Sequence, residues 1–341
     1  MDEGTPASSN SGAAAVVGGS IPGLDRPAYS LEVPADTPIP VLIAVPHAGR
    51  DYPPELLGAM RDPRYSALRL EDRHVDLLAR ELATATGAAL LVAHAPRAML
   101  DLNRASDDMD WSMVSGEAPR KIRNSLLNRR SRSGLGLVPR RLGGLGEIWK
   151  GPLDREELDA RIDAIHRPYH AALGGALETL RDRWGAALLV DLHSMPPLKP
   201  KFPGDRPAEF VVGDRFGASC SPSLAAQGLA YFARYERRAA HNRPYAGGFI
   251  LDRHGVPARG IHAIQLEICR ATYLDAQLAE PSARLPAMGR LLAGFVRTLG
   301  DTVAAMGWRW RRNEKTTSCK MHEVAKVQGG GAPQCTKSEG P

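Results

Sequence analysis

Short runs of consecutive apolar residues alternate along the chain with longer stretches whose apolar positions recur every three or four residues. Val41-Leu-Ile-Ala-Val45 is apolar throughout, as a strand buried on both faces would be. From Arg73 to Thr86, Val75, Leu78 and Leu82 fall on one helical face, and Gly87 suits the helix C-cap. Ala88 to Ala93 is a further strand candidate. Residues from about Arg155 to Trp184 predict a long helix, broken or kinked at Pro168, where the ring removes a backbone donor. Ala186 to Leu192 is the cleanest buried strand. Phe210 to Val212 and Ala263 to Ile268 predict two more, with helices near Ser223–Arg238 and Arg284–Met306. This alternation predicts an α/β fold with helices on the faces of a sheet, and leaves strand order and direction open.

The two ends of the chain read differently. Residues 1 to about 25 are rich in Ala, Ser and Gly, and residues from about Asn313 to Pro341 contain Gly329-Gly-Gly331 and few apolar positions. Both are expected to lack structure, leaving residues 26–312 as one folded domain. In the tail, Cys319, His322 and Cys335 match no standard zinc-module spacing. No run of about 18 apolar residues predicts a membrane span. The start, Met1-Asp2-Glu3, lacks the basic and then apolar regions of a secretory signal. The four cysteines are too scattered for a disulfide framework, so a cytoplasmic location is the expectation.

The net charge of +6 is unevenly spread: eight Lys/Arg and no acid lie between Arg120 and Arg141. Without interleaved aromatics, this segment makes a poor single-strand binder, so nucleic acid is not the expected partner. It reads as a solvated loop, or as a source of positive field for anionic substrates.

Candidate chemistry sits at strand ends. His47 follows Val41–Pro46 and His193 follows Ala-Leu-Leu-Val-Asp-Leu192, at the carboxyl ends where open α/β sheets place ligand sites. Two imidazoles at equivalent positions suit a zinc ion. Glu71-Asp72, just before a helix, offers either helix capping or a carboxylate ligand. Asp191 shares a strand face with His193 and could orient its ring. Glu267 lies in an otherwise apolar strand, where a charge is costly unless it is paired or sits in a cleft. It is either a general base with a raised pKa or the partner of Arg270 or Arg253. Asn103-Arg104 follows the strand near Leu90, and a guanidinium fork there suits a carboxylate.

Taken in order, Val45-Pro-His-Ala-Gly-Arg50, Glu71-Asp-Arg-His-Val-Asp76, Asp101-Leu-Asn-Arg104, Val190-Asp-Leu-His193, Tyr245-Ala-Gly-Gly-Phe249, Arg253-His-Gly255 and Gln265-Leu-Glu267 followed by Tyr273 resemble the N-formylglutamate amidohydrolase family. The resemblance runs from about residue 38 to 300. It implies a phosphorylase/hydrolase-like mixed sheet with helices on both faces, related to zinc carboxypeptidases and aspartoacylase, and makes residues 26–312 a zinc amidohydrolase domain. It implies zinc (Zn2+) on His47 and His193, Glu267 as the base, and Asn103 and Arg104 receiving the substrate carboxylate. The carboxypeptidase pattern has a Glu three residues after the first His; here Arg50 stands there, so Asp72, or else Glu71, supplies the middle ligand. His254 is assigned to the tetrahedral oxyanion. The substrate implied is a small anionic N-acyl amino acid such as N-formyl-L-glutamate, cleaved to formate and the free amino acid. Alternatives are a zinc deacylase or carboxypeptidase-like enzyme on another N-acyl amino acid or short peptide, or a non-catalytic binding protein on this fold.

Overall fold

The all-apolar runs become the centre of one sheet. The computed structural model describes residues 15–116 and 129–328. Eight strands form the main sheet: β1 (Ala15–Gly18), β2 (Tyr29–Glu32), β3 (Val41–Val45), β4 (Ala89–Ala93), β5 (Ala187–Met195), β6 (Phe210–Gly213), β7 (Ala239–His241) and β8 (Ile261–Cys269). Their spatial order is β1-β2-β4-β3-β5-β8-β6-β7. The central four, β4, β3, β5 and β8, run parallel. β2 and β6 flank them antiparallel. Every residue of β3, β4, β5 and β8 is buried, which is why they read as continuous apolar runs.

The principal helices are α1 (Val75–Thr86), α2 (Arg167–Trp184), α3 (Pro222–Arg234), α4 (Phe249–His254) and α5 (Leu285–Gln328). Side chains alternate across the sheet. Val41, Ile43, Val190, Leu192, Leu266 and Ile268 meet Leu78, Leu82, Phe232, Phe295 and Leu299 of α1, α3 and α5. Leu42, Ala44, Leu189 and Ala263 meet Tyr169, Leu173, Leu177, Ile250 and Leu251 of α2 and α4 on the opposite face. Helices therefore cover both faces of a mixed sheet, as expected. Gly87 closes α1 in the left-handed conformation, with φ 71°.

Two features differ from the sequence expectations, while the break expected at Pro168 is present. β1 lies in the stretch expected to lack structure and pairs antiparallel with β2. Two residues on, the Ser20 N–H donates to the Ala164 carbonyl at 3.0 Å, and Ile21 is buried. That carbonyl is available because Pro168, four residues later, has no N–H to offer it. The long helix is correspondingly interrupted by a π-helical turn, Ile162–His166, just before Pro168. The last helix continues past Asn313 to Gln328. Among the described residues no helix is long and apolar enough to cross a membrane. Much of the basic segment, residues 117–128, lies outside the described residues, as does Cys335. In the described remainder, Arg140 pairs with Asp110 and Glu147, and Arg141 with Glu147.

Candidate metal centre and substrate cavity

The face of the sheet under α2 and α4 is apolar at the start of β5 and β8 and polar at their carboxyl ends. On β5 the run Ala187, Leu189 continues as Asp191 and His193; on β8, Ile261 and Ala263 continue as Gln265 and Glu267. Parallel register sets Asp191 beside Gln265 and His193 beside Glu267. His47 comes from the loop after β3, and Asp72 from the turn before α1, where its N–H donates to the His47 carbonyl at 2.9 Å.

One nitrogen or oxygen each from His47, Asp72 and His193 lies within 4.8 Å of the other two, and all three residues are buried. His47 Nε2 hydrogen-bonds Asp101 Oδ1 at 2.7 Å. A carboxylate accepts, so Nε2 carries the hydrogen and Nδ1 presents a lone pair. That Nδ1 has no hydrogen-bond partner among the described residues and lies 3.5 Å from Asp72 Oδ2. The same Oδ2 lies 3.0 Å from His193 Nδ1. Behind His193, Asp191 Oδ2 lies 3.0 Å from Nε2, yet neither Asp191 oxygen has a well-aligned donor. Lone pairs and buried carboxylates converging without enough donors fit a cation, with Asp101 and Asp191 backing its two imidazoles.

Of the two neighbouring acids, Asp72 joins this group. Glu71 pairs with Arg73 at 2.9 Å. Asp72 Oδ1 is steadied by Ser194 Oγ and Arg270 Nη2, both at 3.4 Å. Burial opposes ionisation of Asp72, but the two imidazoles beside it, His193 first and then His47, hold its carboxyl well below the usual range. His193 is likewise penalised by burial, and its two carboxylate neighbours outweigh that and raise its pKa well above normal.

Glu267 accepts from Gln265 Nε2 at 2.9 Å. Arg270, weighed as its ion-pair partner, instead turns to Ser194 Oγ, the Leu68 and Glu71 carbonyls and Asp72. Burial pushes the Glu267 pKa up to about 7; the opposing charge of His193 offsets part of this and the negative charge of Asp72 adds to it. Such a carboxyl can both take and return a proton near neutrality.

These groups open into a cavity of about 760 Å³, rimmed by Arg97, Arg104, Arg130, Arg253, Tyr245 and Gly248 among others. Arg104 lines it, but its fork is already partly engaged: Nε donates to the Leu135 carbonyl at 2.9 Å and Nη1 to the Asn103 carbonyl at 2.6 Å. Asn103 Nδ2 reaches Gln265 Oε1 at 3.3 Å and His193 Nε2 at 3.5 Å, and its Oδ1 accepts from the Ile250 N–H at the start of α4. Arg97, which the sequence reading missed, grips Asp101 Oδ2 with Nε and Nη2 at 2.9 and 2.8 Å. His254 does not join this constellation. It is buried behind the cavity, where its Nε2 lies 3.0 Å from His170 Nδ1. It is not among the residues that line the cavity.

A sequence profile described as N-formylglutamate amidohydrolase matches residues 39–274. The N-formylglutamate deformylase of Pseudomonas aeruginosa is 31% identical over 276 residues, covering 79% of this chain and 94% of that protein. A Pseudomonas putida protein of the same name is 32% identical over 244 residues, 70% of this chain and 82% of its own length. The crystal structure of an N-formylglutamate amidohydrolase from Ralstonia eutropha JMP134 superposes with a TM-score of 0.71 at 28% identity, over 84% of this chain and 99% of that one. A gene product of Agrobacterium tumefaciens shares the fold at 21% identity and a TM-score of 0.57, over 82% and 94% of the two chains.

Proposed function

The chain belongs to the N-formylglutamate amidohydrolase family and is an amidohydrolase, and from that premise we propose that it hydrolyses N-formyl-L-glutamate to formate and glutamate with the help of one zinc ion. The observation that carries the reading is the convergence of His47 Nδ1, Asp72 Oδ2 and His193 Nδ1 beside Glu267, a buried carboxyl held by Gln265 and without an ion-pair partner among the described residues. Two imidazoles and a carboxylate suit zinc, and a bound zinc ion would act there as a Lewis acid toward the amide carbonyl and toward water.

The chain's own groups do the rest. Arg104 receives a carboxylate of the substrate: its bonded Nε and Nη1 fix the direction of Nη2, which otherwise has only a 3.9 Å ion pair with Asp101 Oδ2. Held there, the formyl amide lies between that anchor and Glu267, which replaces a chance encounter with a fixed approach. Glu267 takes a proton from the attacking water as its oxygen bonds to the formyl carbon. It then returns that proton to the leaving nitrogen as the C–N bond breaks. Formate and an amine are the products, and the base is regenerated. Arg130 and Arg253, at the cavity wall, favour entry of an anion.

The test pairs elemental analysis with formate release. About one zinc per chain, lost in His193→Ala, together with formate release from N-formyl-L-glutamate, is the expected result. A wild-type protein that neither carries nor takes up zinc would overturn the cofactor. Release of acyl groups from N-acetylated but not N-formylated amino acids would overturn the substrate.

A further inference from the structure

Three histidines beneath the Asn103–Arg104 loop take no part in the chemistry above. His166 closes the π turn, His170 lies one turn further along α2, and His254 ends α4; all are buried. His170 stacks on His254 with ring centroids 5.3 Å apart and tilts against His166 at 4.4 Å, and Phe249 packs against both His166 and His170.

Their hydrogen bonds have a direction. His170 Nε2 lies 3.0 Å from the Leu102 carbonyl, and His166 Nε2 lies 2.9 Å from the Arg104 carbonyl. A carbonyl only accepts, so both nitrogens carry hydrogen. Neutral His170 then has a bare Nδ1, and its 3.0 Å contact with His254 Nε2 is a hydrogen bond only if His254 donates. The chain therefore runs from His254 to His170 to the Leu102 carbonyl, with each ring neutral. The Leu102 carbonyl at its end and the Arg104 carbonyl held by His166 flank Asn103.

The charged and titratable groups around the rings are few. Tyr169 and Arg167 lie on α2, Arg253 on α4, and Asp101 faces His166 from the loop. Asp101 is itself occupied by His47 and Arg97. Burial first, then the neighbouring histidines and Arg253, push His170 well below the usual histidine range and His254 down to about 4.

We propose that His170 and His254 are positioning residues: their neutral chain, with His166 beside it, pins the carbonyls on either side of Asn103 and so holds Asn103 and Arg104 in the substrate-binding geometry. A proton on His170 Nδ1 would face the His254 Nε2–H, donor against donor. The chain would have to break or His254 change tautomer, so acid strong enough to protonate these depressed rings would loosen the loop. The kinetic consequence rests on the substrate role given to Arg104 above; the hydrogen-bonded chain does not.

The experiment combines nitrogen-15 histidine NMR on the intact protein with kinetics of His170→Gln and His170→Phe. In the wild type at about pH 7, His170 is expected to be neutral with hydrogen on Nε2, its Nδ1 resonance shifting in His254→Phe. An imidazolium, or hydrogen on Nδ1, overturns the proposal whether or not N-formyl-L-glutamate is the substrate. In kinetics, His170→Phe is expected to raise KM by about tenfold or more with kcat within about threefold of wild type. His170→Gln, whose amide can still donate to the Leu102 carbonyl, is expected to keep a near-normal KM at neutral pH and to lack the rise in KM that the wild type shows once acid protonates His170, well on the acid side of the ordinary histidine range. A wild-type KM that stays flat on acidification, or a loss confined to kcat, overturns the proposal. Should His170→Phe fail to fold, His170→Gln decides. Absence of formate release by the wild type would overturn the substrate reading instead, and the spectra would still decide the chain.

Discussion

His193 and Glu267 are register partners on neighbouring parallel strands, so the sheet itself sets a candidate metal-ligating imidazole beside the candidate base. Because both are held by backbone ladders, replacing the base need not disturb the ligand. Glu267→Gln is expected to retain its metal and to lose at least about a hundredfold in kcat. Metal content and formate release, measured on the same preparation, check this. Unchanged turnover would remove Glu267 from the chemistry.

The same carboxyl costs stability when it is ionised. Burial raises its folded pKa from 4.5 to about 7, so between these values the folded chain holds more protons than the unfolded one. Stability contributed through this group is therefore lost as pH rises through that window. In metal-stripped protein, Glu267→Gln should be more stable than wild type at about pH 8, by on the order of 1–3 kcal/mol. Near pH 5, where the wild-type carboxyl is protonated, the two should be nearly equal. Denaturant titrations at both pH values test this, and a pH-independent difference would contradict it.

Asp191 is fully buried, and its one ion-pair partner among the described residues is His193, whose Nε2 lies 3.0 Å away. Its charge supports the candidate ligand His193 and adds to burial in raising the pKa values of Glu267 and Tyr169, so Asp191→Asn keeps the shape while removing that support. Loss of such an outer carboxylate typically weakens metal affinity by about 10–100-fold. Competition with a chelator measures it; an unchanged affinity would show that Asp191 serves only the packing of β5.

How much of this was legible depended on range. His47 and His193 stood out because each ends an apolar run, and Glu267 because it interrupts one. Asp72 and Glu71 could not be separated locally, since acids before a helix are favoured whatever they bind. Contacts distant in sequence separate them: His193 and Arg270 hold Asp72. The misplacement of His254 has the same origin. Its partner is 84 residues away on α2, and nothing near Arg253-His-Gly255 announces it. His166 and His170 did carry a local signal, four residues apart on one helical face beside Tyr169, but that spacing equally describes a core stripe. β1 was missed because a four-residue edge strand in an Ala/Ser/Gly-rich stretch has no periodicity to detect.

Gly248 gives a purely steric handle on the substrate loop. Its φ of −131° is extended backbone open to any residue, so alanine there carries no conformational strain. A Cβ, however, would come within 2.5 Å of Asn103 Oδ1 and 2.8 Å of its Cγ. Asn103 cannot retreat freely, because Oδ1 caps the Ile250 N–H at 3.0 Å and Nδ2 reaches Gln265. Gly248→Ala should therefore displace Asn103 and Arg104, raise KM several-fold and lower stability by about 1–3 kcal/mol, the usual cost of overpacking. Gly175 on α2 is the control, since a Cβ there meets nothing within 4 Å. Gly175→Ala should leave KM unchanged and stabilise the helix by roughly 0.5–1 kcal/mol. Steady-state kinetics and thermal unfolding of the two variants separate crowding at the loop from a general effect of adding a methyl group. A Gly248→Ala protein with normal KM would mean that Asn103 does not set the substrate geometry.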